Sequence, residues 1–343
     1  MIQQALMSRK SLQQVLSKLP RIPLAVKPTP LEECPRLTAA LGGPRILIKR
    51  DDVTGLAFGG NKARHLEFRL AHAKSLGCDV FINSNVWVSN NARICAAACA
   101  KMGMRYIFVV RDGKGKPFQG NLLLDKLLGS ELHMLDSDNR DEINAYCRNL
   151  AKKLEKEGHK PYLSTEEVFA RISGTIGYLE CTMELADQLK AANVKDANIY
   201  LVAGTSMAGL ALGSKLLGFS WKVTGVYSED RPDIENAVQT YANEAQKALN
   251  LPASLSPSEY QLYLNYAAPG YAKPSKKGVE AIKLVAQTEG ILLDPTYTGK
   301  AFAAVIDDVR NGKLTSKDTV VFVHTGGLPA LFIEEYNKAL TEW

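Results

Sequence analysis

The sequence predicts an α/β protein whose parallel sheets are covered by helices on both faces, and three observations lead there. Short apolar runs alternate with helical segments along most of the chain. Its 343 residues exceed what one simple core holds, which implies two domains. Two glycine-rich stretches, residues 55–60 and 174–177, are placed to carry the chain from one domain to the other and back. On this reading residues 58–174 form a small inserted domain, and residues 1–57 with 175–343 form the large one.

The elements follow in order. Residues 45–49 (RILIK) read as a short strand. Residues 61–76 have helical period and begin on an asparagine cap. Residues 80–83 are a strand, 90–102 an alanine-rich helix, 106–110 a strand and 120–128 a helix. A short strand at 133–135 precedes a long polar helix at 141–157 and another helix at 177–192. Residues 199–203 form a buried strand, 207–217 a helix, 223–226 a strand and 320–324 the last clear strand. This βαβα order argues for parallel pairing.

Composition narrows the function classes. Hydrophobic residues make up 46% of the chain and charged residues 23%, which suits a globular enzyme rather than a disordered chain. The net charge of +6 is spread along the chain without a basic stripe, so no nucleic-acid partner is expected. No apolar run approaches the roughly 20 residues that span a bilayer. The six cysteines form no CxxC pair, and Cys95 and Cys99 read as small buried residues of an alanine-rich helix rather than metal ligands. No metal site is expected, and this usage fits a reducing, cytoplasmic setting. Residues 1–19 are amphipathic, and no acid precedes Glu32. They read as a surface helix packed on the core, with an organelle transit peptide as the alternative.

Three loops carry the chemistry. Gly59-Gly60-Asn61-Lys62 opens a helix, where the helix dipole disfavours an ammonium and favours the neutral amine that condenses with an aldehyde. The alternative for Lys62 alone is a solvated surface lysine. Residues Gly204, Thr205, Ser206, Met207, Ala208 and Gly209 follow an apolar strand and make a backbone cradle for phosphate, with Thr205 and Ser206 adding hydroxyl donors. No lysine follows Gly209, so this is not a P-loop, and the G-x-G-x-x-G spacing is missing. Ser89-Asn90-Asn91 starts a further helix, whose amides suit a substrate carboxylate; a plain N-cap is the alternative. An activated lysine, a phosphate cradle and a carboxylate cradle together describe a site for an amino acid bound to pyridoxal 5′-phosphate (PLP).

With these motifs the chain resembles the D-cysteine desulfhydrase and 1-aminocyclopropane-1-carboxylate (ACC) deaminase family. The resemblance runs from about residue 20 to 332. It is strongest at Pro28-Thr29-Pro30-Leu31, Ile48-Lys49-Arg50-Asp51-Asp52, Gly59-Gly60-Asn61-Lys62, the run from Leu293 through Tyr297 to Lys300, and His324-Thr325-Gly326-Gly327. It implies the fold type II architecture of PLP enzymes: two three-layer parallel-sheet domains with the cofactor between them. It also implies a homodimer and a small amino-acid substrate. Lys62 matches the lysine that carries the cofactor and moves protons. Ser89 matches a serine against the substrate carboxylate, and Asn90 an asparagine bonded to the cofactor ring oxygen. Tyr297 and Tyr271 match two active-site tyrosines, and Thr325 a hydroxyl against the pyridine nitrogen. Two positions separate the branches: the deaminase has Glu and Leu where this chain has Thr298 and Thr325. The resemblance therefore favours elimination of a β-substituent, giving pyruvate and ammonia, over opening of the ACC ring.

The carboxylate loop departs from the family pattern. Relatives carry Gly-Gly-x-Gln-Ser-Asn-His, whereas this chain has Asn85-Val86-Trp87-Val88-Ser89-Asn90-Asn91. Lost polar contacts there alter which substrate is held, so racemisation or β-replacement stays open. Trp87 and Val88 are expected near the substrate, Trp87 as either core packing or a pocket wall. Lys273 is either a surface lysine or a partner for an anionic substrate group.

Overall fold

The computed structural model describes residues 4–228 and 234–341. In chain order the elements are α1 (Arg9–Ser17), β1 (Leu31–Glu33), α2 (Pro35–Leu41), β2 (Arg45–Lys49), α3 (Lys62–Ser75), β3 (Val80–Val86), α4 (Asn90–Met102), β4 (Arg105–Arg111), α5 (Gly120–Leu127), β5 (Glu131–Met134) and α6 (Arg140–Lys156). There follow β6 (Pro161–Leu163), α7 (Val168–Ala191), β7 (Asn198–Val202), α8 (Thr205–Leu217), β8 (Lys222–Val226), α9 (Ile234–Leu249), β9 (Gln261–Tyr263), α10 (Lys276–Glu289), α11 (Thr298–Arg310), β10 (Thr319–Val323) and α12 (Glu334–Thr341).

The strands form two sheets. The larger has the order β1-β2-β10-β7-β8-β9, and the smaller has the order β5-β4-β3-β6. Every pairing is parallel except β1 with β2. Alternation along the central strands shows why each sheet is covered twice. Leu47, Ile199, Leu201, Val321 and Val323 point into one core with α7 and α8. Their neighbours Ile46, Ile48, Tyr200, Val320 and Phe322 point into another with α10 and α11. In the smaller sheet Phe81, Tyr106 and Phe108 face α3 and α4, while Val80, Ile82, Ile107 and Val109 face Ile143, Cys147 and Leu154 of α6. Both sheets are thus the middle layer of three, as the sequence predicts.

The N-terminal helix packs on this body. Ser8 caps α1, its Oγ accepting from the Ser11 amide at 3.0 Å, and Leu12 and Leu16 are buried. All six cysteines are free thiols.

The glycines at 174–177 are a correction. They do not form a loop: they lie inside the 24-residue helix α7, which joins β6 of the smaller sheet to β7 of the larger and starts nine residues before the helix expected at 177. Their role is close packing. A Cβ on Gly174 would lie 2.2 Å from Thr205 Oγ1, and one on Gly177 would lie 2.9 Å from the Arg64 carbonyl oxygen.

The Ile48–Asp52 motif is a buried charge cluster rather than a binding site. Arg64, fully buried on α3, donates to both oxygens of Asp51 at 2.8 and 2.9 Å and to Glu184 on α7. Tyr178 donates to Asp51 at 2.6 Å, and the Lys49 ammonium reaches the Thr29 carbonyl at 2.6 Å as well as Glu184. Burial alone would raise the Asp51 carboxyl, but Arg64 and Lys49 more than reverse this and hold it below the usual carboxylate range. The cluster locks β2, α3 and α7 together and so fixes the helix that begins with Lys62.

Candidate active site

A cavity of about 490 Å³ opens at the carboxyl ends of the strands of both sheets. That is where open parallel sheets place their ligands. Its walls come from the start of α3, the ends of β3 and β4, the start of α4, the turn between β7 and α8, and the loop after β10.

Lys62 is the first residue of α3 and lines the cavity. The loop before it is held from three sides. Gly60 exchanges 2.8 Å hydrogen bonds with the Thr54 hydroxyl, the Asn61 amide donates to the Thr325 carbonyl at 3.0 Å, and Arg93 Nη2 donates to the Gly59 carbonyl at 2.8 Å. Gly59 has φ +67°, and a Cβ there would stand 2.0 Å from the Asp52 carbonyl oxygen, so no other residue fits. The Asn61 side chain does not cap α3 as the sequence suggested. Its backbone is already helical, at φ −56° and ψ −24°, rather than extended as in a capping residue, and its Nδ2 reaches across to Ser206 Oγ at 2.9 Å. His65 also contacts that hydroxyl, with Nε2 at 3.1 Å. Burial, then Lys62 and Arg69, holds the His65 imidazole well below its usual range, so it is neutral.

The turn between β7 and α8 fits the cofactor's phosphate. Gly204 lines the cavity at φ +149°, and a Cβ built there meets nothing within 4 Å, so a side chain would stand in the space the phosphate needs. Thr205 and Ser206 border the same space at the N-terminus of the 13-residue α8. Met207, Ala208 and Gly209 require a correction: they do not line the cavity. Helix α8 starts at Thr205, two residues earlier than expected, which turns them into the core. Met207 packs against Gly225, and Gly209 against Thr175 and Tyr178.

On the opposite wall Ser89 caps α4, its Oγ accepting from the Ala92 amide at 3.2 Å, and it lines the cavity with Asn90 and Asn91. Asn90 Oδ1 accepts from Asn121 Nδ2 at 3.0 Å, and the same Nδ2 donates to the Val88 carbonyl at 2.7 Å. Asn121 therefore fixes the Asn90 amide so that its Nδ2 is the end left for the cavity. Trp87 and Val88 are a second correction, because neither reaches the cavity. The chain turns sharply after β3, with the Ser89 amide on the Val86 carbonyl at 3.1 Å, and both side chains swing into the core behind it. Trp87 instead borders a separate groove with Lys116 and Pro117.

Tyr271 and Tyr297 meet at the cavity, hydroxyl to hydroxyl, with ring centroids 5.9 Å apart. Two buried charges set their positions. Asp294 accepts the amides of Thr296 and Tyr297 at 3.0 Å and that of Thr298 at 2.8 Å. The Lys300 ammonium donates to the carbonyls of Ala267, Gly270 and Ser228 at 2.9, 2.8 and 3.4 Å, which ties down the loop bearing Tyr271. Thr325 lines the cavity; Lys273 is exposed and does not. Sequence reading assigned no role to His65, Arg69, Arg93, Asn121 or Lys300. For the first two a signal existed: positions 62, 65 and 69 share one face of a helix.

The comparisons with known proteins agree with this geometry. The profile of the family described as "Pyridoxal-phosphate dependent enzyme" matches residues 22–326. A solved structure described as an ACC deaminase homologue superposes with TM-score 0.85 at 33% identity, over 96% of this chain and 98% of that one. The processed form of threonine deaminase isoform 2 from Solanum lycopersicum gives TM-score 0.66 at 18% identity, over 99% and 90%. Escherichia coli diaminopropionate ammonia lyase gives 0.65 at 14% identity, over 99% and 92%, and like the tomato enzyme it bears on the fold alone. With its two parallel-sheet layers, its cavity between them and this match over most of its length, the chain belongs to the fold type II pyridoxal-phosphate dependent enzymes, and pyridoxal 5′-phosphate is its cofactor.

Proposed function

We propose that the protein is a lyase of the desulfhydrase type, which removes a β-substituent from a small amino acid and releases pyruvate and ammonia. The observation that carries this reading is the convergence of Lys62, Ser89 and the Tyr271–Tyr297 hydroxyl pair on one cavity. PLP, when bound there, supplies the electron sink that makes the substrate α-proton acidic. The protein's own groups do the rest. Lys62 takes the proton from Cα. The amides at the start of α4, with Ser89, hold the carboxylate. Tyr297 faces the departing group, and its hydrogen bond to Tyr271 lets the pair deliver a proton there. The Cα–H and Cβ–X bonds break, a carbon–carbon double bond forms, and the freed aminoacrylate takes up water to give pyruvate and ammonia.

Two positions favour this branch over ring opening. Thr298 is buried and spends its hydroxyl on Asp294 Oδ1 at 2.6 Å, so it offers the cavity nothing. Thr325 brings a hydroxyl-bearing side chain to the lining where the deaminase branch has Leu. Opening of the ACC ring is the second reading, favoured by the likeness to the ACC deaminase homologue. Coupled keto-acid assays on D- and L-cysteine, serine, chloroalanine, cysteate and ACC separate the two. Elimination gives pyruvate from a β-substituted amino acid, in step with ammonia, and none with Lys62→Ala. Formation of 2-oxobutyrate from ACC alone supports the second reading, and absence of any keto acid refutes both.

A further inference from the structure

Arg69 is an arginine without an acid. It lies two turns along α3 from Lys62, on the same face, and lines the cavity. Its Nε donates to Ser173 Oγ at 3.1 Å, and its Nη1 makes a long 3.4 Å contact with Asn91 Oδ1. Both partners are neutral, and among the described residues Arg69 makes no ion pair. The surroundings add to its charge: Lys62, Arg111, Arg140 and Arg171 also line the cavity, and no described lining residue is an aspartate or glutamate. Arg171 is tied to Glu244 at 3.2 and 2.9 Å, and Arg140 is exposed. Arg69 is therefore a part-buried cation that lines the ligand space and makes no ion pair among the described residues. A half-buried guanidinium whose side-chain contacts, Ser173, Asn91 and the Cys95 thiol, are all neutral is well suited to a bidentate oxyanion.

Two oxyanions could come within reach, the cofactor's phosphate and an acid group on the substrate. The phosphate turn is served from α3 by Asn61 and His65, both on Ser206. Arg69 stands one turn beyond His65 and leans toward Asn91, next to the Ser89-Asn90 pair that faces the substrate. We propose that Arg69, steered by Asn91 and Ser173, binds a second acid group on the amino-acid substrate, a carboxylate or a sulfonate, so that the enzyme prefers dianionic amino acids. This rests on the elimination reading only in assuming that the ligand is an amino acid.

The test is equilibrium binding to the PLP-loaded protein, followed by the change in the cofactor's visible spectrum. Paired ligands differ in one acid group: aspartate against alanine, and cysteate against serine. The wild type should bind each acidic member about tenfold or more tightly than its neutral partner, the worth of one charge-assisted contact. Arg69→Gln should bring that ratio close to one, and Arg69→Lys should retain part of it. Cofactor affinity of the apoprotein, measured by titration with PLP, should be nearly unchanged in both variants. A ratio that survives in Arg69→Gln overturns the proposal. So does a loss of PLP affinity with the ratio intact, which would assign Arg69 to the cofactor's phosphate. The readout is binding rather than turnover, so a protein that shows the ratio but yields no keto acid would refute the elimination and leave the subsite standing.

Discussion

Replacing Lys300 by methionine tests whether a buried charge outside the cavity sets the position of Tyr271. The ammonium has three protons and three carbonyl acceptors, those of Ala267, Gly270 and Ser228, and the side chain is fully buried. Two of these contacts are short and charge-assisted, worth about 1.5–3 kcal/mol each. Against them stands the cost of burying the charge. Burial pulls the ammonium down to about 8, and that displacement corresponds to about 3 kcal/mol. Methionine fills the volume, removes the charge and leaves the carbonyls unpaired, so the net loss of stability is roughly 2 kcal/mol. Catalysis should suffer more than folding, because Gly270 directly precedes Tyr271; we expect turnover to fall about tenfold or more with PLP still bound. Urea unfolding, cofactor absorbance and steady-state assays read the three quantities. The pH dependence adds a sign. A lysine whose folded value lies below its unfolded one carries its penalty in full below about 8, and sheds it as pH rises from there toward its ordinary value of about 10.4. This lysine's share of stability therefore rises across that window, and the rise should vanish in Lys300→Met. Unchanged turnover in a variant destabilised as expected would refute the positioning role.

Three further outcomes follow from the same geometry. Gly59→Ala places a Cβ 2.0 Å from the Asp52 carbonyl oxygen at φ +67°; the cost should exceed about 3 kcal/mol in urea unfolding and cofactor retention should drop with it. Asn121→Ala releases the Asn90 amide and the Val88 carbonyl; substrate and cofactor affinity should fall, with about 1–3 kcal/mol lost in stability. The Asp51 and Glu184 carboxyls are held below their usual range, by Arg64 and Lys49 against the opposing effect of burial. Their share of stability is therefore present above a carboxylate's ordinary value of about 4 and is lost as pH falls through the lower folded values. Asp51→Asn should flatten that acid limb of the urea midpoint, at a cost of about 3–5 kcal/mol for the broken buried pair.

The sheets were legible because parallel strands buried on both faces are nearly continuous apolar runs, as in Ile199–Leu201 and Val320–Val323. Short strands at sheet edges, such as Leu31–Glu33 and Gln261–Tyr263, carry too few residues for a period. The glycines of α7 do lie where the chain passes from the smaller sheet to the larger, but within a helix: sequence does not distinguish a glycine that bends the chain from one that lets two helices touch. The motif lysine, serine and tyrosines were readable as matched positions. What was hidden is what holds them, since Asn121, Arg93 and Lys300 act across 30 residues or more. Trp87 and Val88 follow a seven-residue strand that runs three residues past the expected end, and the turn after it reverses which side chains face the ligand.

The most direct test of the whole account is where the cofactor attaches. The protein loaded with PLP, reduced with borohydride and digested, should yield one pyridoxyl-bearing peptide, the one containing Lys62, and Lys62→Ala should yield none. Label on another lysine, or a protein that holds the cofactor with nothing fixed at residue 62, would contradict the account.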